Sequence, residues 1–157
     1  MNTRIVGFSL ALSLLAPGAA LAANAQVEAP IRAFVAAFNA GDIKAAEATH
    51  TADVIILDEP PPFRWIGPGA FQKWVADLTA DEKKIGRSDG AVSLGAFKRE
   101  EVAGDHAYVI VEATYAFKDK GVPMKEPSQM TFGLHKVGGA WKISAWTWTG
   151  PRPIPRK

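Results

Sequence analysis

The hydrophobic period of this chain changes once, near Ala91, and that change limits the folds open to it. Before it, Val27, Ile31, Phe34, Val35 and Phe38 fall on one stripe of a helix over residues 27–39, because 3.6 residues per turn bring positions three and four apart onto one face. Gly41 ends that helix, and Asp42 supplies an N-cap for a short one over 43–48. Phe71, Trp74, Val75 and Leu78 mark a third helix, with Pro68 in its first turn. Between the second and third lies an apolar strand, 54–57, which runs into Asp58, Glu59 and three prolines and is expected to be short and at a sheet edge. After Ala91 the period is two. Strands are predicted over 91–101, 106–118, 128–137 and 140–149, with turns at Ala103-Gly104-Asp105, Lys120-Gly121 and Gly138-Gly139. Helices first and closely linked strands later mean an α+β domain: three N-terminal helices packed in a curved, mostly antiparallel sheet.

Strand parity assigns the faces. Ala107, Val109, Val111, Ala113, Tyr115 and Phe117 form one apolar row, predicted to face the helices, while His106, Glu112, Thr114 and Lys118 face away. In the next strand Met130, Phe132 and Leu134 alternate with Gln129, Thr131, Gly133 and His135. In the last, Trp146 and Trp148 share a face with Ser144, and Trp141, Ile143 and Ala145 share the other. Both faces therefore carry apolar residues, as expected if the outer face packs against a second protomer in a homodimer. A β-bulge that turns the tryptophans to that interface and leaves Ile143 and Ala145 inside is the competing arrangement.

The start of the chain reads as an export leader. Arg4 gives a positive start, 5–15 is apolar and uncharged, and Ala20-Leu21-Ala22 fits a small-x-small cleavage pattern, with the cut after Ala22 or, alternatively, Ala25. The apolar run is short and broken by Pro17-Gly18, which disfavours a membrane anchor, and no cysteine follows to carry a lipid. The expectation is a secreted protein, periplasmic in a Gram-negative cell, with 1–22 as signal peptide, 23–150 as one domain and 151–157 as a disordered proline-rich basic tail. The roughly 135 residues left suit a single core. A formal charge of +2, falling by one with the loss of Arg4, provides no basic footprint for nucleic acid. The chain has no cysteine, which excludes disulfides and thiolate chemistry. His50, His106 and His135 lack metal-ligand spacing, so no metal or cofactor is expected.

The order of these signals carries a resemblance. A helix, Asn39-Ala40-Gly41-Asp42, a second helix, a strand ending at Asp58, Gly67-Pro68-Gly69-Ala70 opening a third helix, and a meander ending in Gly138-Gly139-Ala140-Trp141-Lys142-Ile143 together resemble the nuclear transport factor 2-like superfamily. Within it the chain is most similar to SnoaL-like domains and, more distantly, to ketosteroid isomerase, over residues 27–150. The resemblance implies a cone with a pocket at its wide end and, in many members, a dimer. It places Asp58 at the isomerase's general-base position. It places Phe34 and Thr131 where the isomerase has the tyrosine and the protonated aspartic acid of its oxyanion hole. Phenylalanine has no donor and threonine is a weaker one than a neutral acid. Such donors are worth roughly 3 kcal/mol each, so the steroid isomerase mechanism is not supported.

The same resemblance makes Trp146 and Trp148 pocket walls opposite Phe34; Tyr115, on the inward row of its strand, is a further ligand-binding candidate. Trp65 and Trp74, close to Asp58 in sequence, belong either to the pocket or to the core, and His135 shares the Thr131 row. Asp58 is either a proton carrier, its pKa raised by aromatic surroundings, or a strand-end carboxylate capping backbone groups. Glu59, its neighbour, should point the other way into solvent. The main reading is a binding module with a tryptophan-lined pocket for a small, largely apolar molecule. The alternative is a small acid–base enzyme of isomerase, cyclase or hydratase type with Asp58 as general base. A third reading is a purely structural domain whose rings fill their own cavity. An open cavity lined by Asp58 separates the first two from the third.

Overall fold

The computed structural model describes residues 17–156, with side chains from residue 24 onward, so the expected leader lies largely outside the described residues. The elements run α1 (Pro17–Asn39), α2 (Ile43–Ala48), β1 (His50–Leu57), β2 (Arg64–Ile66), α3 (Ala70–Ile85), β3 (Arg87–Ala103), β4 (His106–Asp119), β5 (Val122–Val137), β6 (Ala140–Thr149) and β7 (Ile154–Pro155). The three helices pack against a curved, unclosed sheet of order β2-β1-β6-β5-β4-β3. Every pairing is antiparallel except β1 with β6. That parallel contact brings the strand of the helical half beside the last strand of the meander.

Several local expectations need correction. Strand β1 is eight residues long and lies inside the sheet, because 64–66 folds back on it as β2 and takes the edge (Ile56 opposite Trp65). Pro68 precedes α3, whose N-cap is Gly69. The tail is not an unpaired end: β7 pairs with β5 at Met124 and Lys125, and the Arg156 N–H donates to the Pro123 carbonyl at 2.9 Å. Pro153 and Pro155 cost little there, since a two-residue strand at an edge needs few donors.

The apolar rows meet as parity requires. Val109 and Val111 of β4 are fully buried with Phe132 and Leu134 of β5, against Val27, Ile31 and Phe34 of α1. Asn39, the last residue of α1, clamps helix to sheet. Its Nδ2 donates to the Val92 carbonyl at 2.7 Å and its Oδ1 accepts the Val92 N–H at 2.9 Å, standing in for a strand partner.

The ambiguity of β6 is resolved by a bulge at Ser144. Leu134 pairs with Ile143 and Gly133 with Ala145, which leaves Ser144 as the extra residue, its hydroxyl donating to the Gly133 carbonyl at 3.1 Å. The inward row therefore changes parity within the strand, and Ile143 and Trp146 are both buried on the same side. The apolar residues of β6 thus need no second protomer to cover them.

His50 is a polar residue buried among the core rings. Its ring lies 4.7 Å from both Phe34 and Phe71, Nδ1 faces the Ala46 carbonyl at 3.0 Å, and Nε2 has no partner. Burial, with a smaller contribution from the charge of Lys142, pulls its pKa down to about 4, against the raising effect of the Ala46 carbonyl. A base with a depressed pKa costs stability as pH falls, because the unfolded chain takes up the proton near 6.5 and the folded one does not. We expect His50→Phe to be spared a loss of roughly 3 kcal/mol that the wild type suffers as pH falls from about 7 to 4. Urea unfolding across this range measures it; parallel stability curves for the two proteins would reject a neutral, buried imidazole.

Candidate functional site

Six elements and the segment after β1 converge on an open cavity of about 220 Å³. That is below the ~300–1,000 Å³ of drug-sized sites and suits a small molecule. Helix α1 contributes Phe34, Val35 and Phe38; α3 contributes Trp74, Leu78, Asp81 and Glu82. The sheet supplies Arg87 and Val92 from β3, Tyr115 from β4, Glu126 and Met130 from β5, and Trp146 and Trp148 from β6, and the segment after β1 adds Asp58, Glu59 and Pro60. Six of its lining residues are aromatic: Trp74 meets Trp146 edge to face at 4.9 Å, and Phe34 lies 5.7 Å from Trp146.

Asp58 stands directly past the end of β1, and α3 reaches it through Trp74, whose Nε1 donates to Oδ2 at 2.7 Å. Its Oδ1 accepts the Glu59 N–H at 2.8 Å, and its own N–H donates to the Phe63 carbonyl at 3.2 Å. Asp58 therefore both caps the turn and lines the cavity. Burial raises its pKa above the ordinary aspartate range, the Trp74 and Glu59 hydrogen bonds oppose this, and the charges of Glu126 and Glu82 add to it.

Glu126 was not foreseen. It is 1% exposed, its Oε1 accepting the Trp148 indole N–H at 2.7 Å and the Ser128 hydroxyl at 3.0 Å. Gly150 makes the space: a Cβ there would lie 1.9 Å from Oε1. Glu59 is exposed, as expected, and also borders the cavity mouth, where partial burial followed by the neighbouring Glu126 pushes it up to about 7. On the opposite side the Tyr115 hydroxyl donates to Glu82, and burial together with that carboxylate raises the phenol well above its ordinary range.

Of the residues singled out from sequence, Phe34, Asp58, Trp74, Tyr115, Trp146 and Trp148 line the cavity and Trp65, Thr131 and His135 do not. Trp65 is core, its indole held by Asp77 at 2.8 Å. Thr131 and His135 occupy the outward row of β5, where His135 stacks on His106 at 4.6 Å; the inward residue at that level is Met130. Two signals pointed to the missed acids. Glu126 shares the parity of Met130 and Phe132, and Asp81 and Glu82 continue the Trp74–Leu78 stripe by one turn. Among the described residues, no group of three or more His, Asp or Glu is placed to hold a metal, and no helix is long and apolar enough to cross a membrane.

The profile of the SnoaL-like domain family matches residues 27–148. The chain belongs to that family. No curated protein sequence matches this SnoaL-like domain. Among solved structures it is similar to a ketosteroid isomerase-like protein of Erwinia carotovora atroseptica (24% identity, 83% of this chain and 97% of that one, TM-score 0.64). It is also similar to a hexachlorocyclohexane dehydrochlorinase of Novosphingobium barchaimii (14%, 87% and 92%, 0.73) and to an NTF2-like protein of unknown function from Pseudomonas putida (18%, 83% and 88%, 0.62). At these identities the likeness establishes the fold alone.

In this SnoaL-like domain the Trp74 hydrogen bond favours the ionised form of Asp58, so its loss should raise the Asp58 pKa further. We expect carbon-detected NMR titration of the Asp58 carboxyl to give a midpoint above the ordinary value of about 4, and a higher one still in Trp74→Phe. A midpoint in the ordinary range, unmoved by the substitution, would reduce Asp58 to a turn cap.

Proposed function

We propose that the protein is a small acid–base enzyme that moves a proton on a small, largely apolar molecule, with Asp58 as general base. One observation carries the reading: a carboxylate of raised proton affinity, oriented by an indole, lines an open cavity beside a second carboxyl, Glu59, whose proton affinity is also raised. A pure binding pocket for an apolar molecule has no use for two such carriers, since buried carboxyls cost free energy that apolar walls do not. The arrangement suits an elimination or an allylic shift. Asp58 takes a proton from carbon, the C–H electron pair becomes the new double bond, and the acid form of Glu59 protonates the departing group or the far carbon. Dehydration follows this scheme, loss of hydrogen halide needs only the base because the halide leaves as the anion with its bonding pair, and neither depends on the oxyanion donors that Phe34 and Thr131 fail to supply. Support also comes from the names of two structural neighbours, an isomerase-like protein and a dehydrochlorinase. From the leader-like start of the sequence we further propose that this chemistry takes place outside the cytoplasm.

The test is base-promoted ring opening of 5-nitrobenzisoxazole, a flat apolar probe whose only demand is a positioned base. We expect turnover well above that of free acetate, rising with pH as Asp58 ionises, and a fall of roughly 10²–10⁴-fold in Asp58→Asn. A rate no greater than the buffer's, or one indifferent to that substitution, would leave the cavity as a binding site without chemistry.

A further inference from the structure

The chain is weakly basic, yet its cavity is acidic. Five of its 16 carboxylate side chains, Asp58, Glu59, Asp81, Glu82 and Glu126, line this one space, and Arg87 is the basic residue beside them. The Arg87 guanidinium lies over the Phe117 ring at 4.0 Å, and among the described residues no ion pair joins it to any of the five. Glu126 is therefore buried with only an indole and a hydroxyl to satisfy it, an expensive state for a carboxylate without a cation. Mutual repulsion within the group is visible in Asp58 and Glu59, whose proton affinities are raised in part by Glu126.

The walls add an independent sign. Tyr115, Trp74, Trp146 and Trp148 border the space, and aromatic faces attract organic cations. Resting on the acid–base reading of the same cavity, we propose that its occupant is an organic cation: a small amine with an apolar body, its ammonium among the carboxylates. The positive charge would also draw Asp58 toward its ionised form, so the molecule to be deprotonated would help prepare its base.

Two isosteres decide the point: phenacyltrimethylammonium and neopentyl phenyl ketone share shape and carbonyl and differ in charge. Dissociation constants come from quenching of tryptophan fluorescence at low salt. We expect the cation to bind at least about tenfold more tightly, with the advantage reduced in Glu126→Gln and in the double variant Asp81→Asn/Glu82→Gln. The double variant sits on partly exposed turns of α3 and serves if Glu126→Gln does not fold. A neutral ketone that binds as tightly, or a preference unchanged in the double variant, overturns the proposal. Binding alone is read, so that failure leaves the ring-opening assay standing, and a protein that prefers the cation but opens no ring fails only the acid–base reading.

Discussion

The hydrogen bond from the Trp74 indole to Asp58 joins the two layers of this protein at the place where its chemistry would occur. One end belongs to α3 and the other to the residue directly past β1, so the bond fixes the helix relative to the sheet. It also fixes the carboxylate relative to the aromatic wall, because the ring that donates also packs on Phe34, Phe38, Phe71 and Trp146. A donor on a rigid ring wedged among four others cannot swing away, and the carboxylate it holds gains one orientation at little entropic cost.

The second tryptophan–carboxylate bond, Trp148 to Glu126, repeats the device across the cavity. Indole is suited to the task. It supplies apolar wall on both faces and a single N–H at its edge, so it can steer an acid without adding a charge that would quench it. An arginine in either place would have pulled the carboxyl firmly into its ionised form. With indoles, burial keeps the upper hand at Asp58 despite the opposing bond. That balance keeps a carboxyl available for both taking and giving a proton.

Much of this could be read from the sequence, and the rest was hidden for identifiable reasons. The helical stripe of Val27 to Phe38 and the period-two row of β4 survive intact in the core because nothing interrupts either periodicity. The Asp42 cap is as expected, its Oδ1 accepting the Ala45 N–H at 2.9 Å. Strand β2 was missed because three residues after a proline run carry no periodicity to detect. Glu126 was missed because Pro123 and Pro127 flank it and prolines ordinarily mark the end of a strand; here β5 is long enough to absorb both. Thr131 was assigned to the cavity by counting from a family pattern, and one residue of strand register is enough to turn a side chain to the opposite face. The Ser144 bulge cannot be seen as an insertion in one sequence, but its trace was present as two apolar rows of conflicting parity on a single strand.

That bulge divides β6 into two tenants. Upstream of it, Ile143 serves the helix-packed core; downstream, Trp146 and Trp148 furnish the cavity wall. Replacing a wall residue alters what the cavity grips while the parity of the core segment is untouched, so substitution acts as a dial. Losing one residue at the bulge would instead bring the whole wall out of phase with its base and its partner strand at once. Lineages descended from such a fold are therefore free to diversify in the identity of the downstream side chains but are tightly held in the length of this strand, and variation among them should be sought in letters and not in gaps.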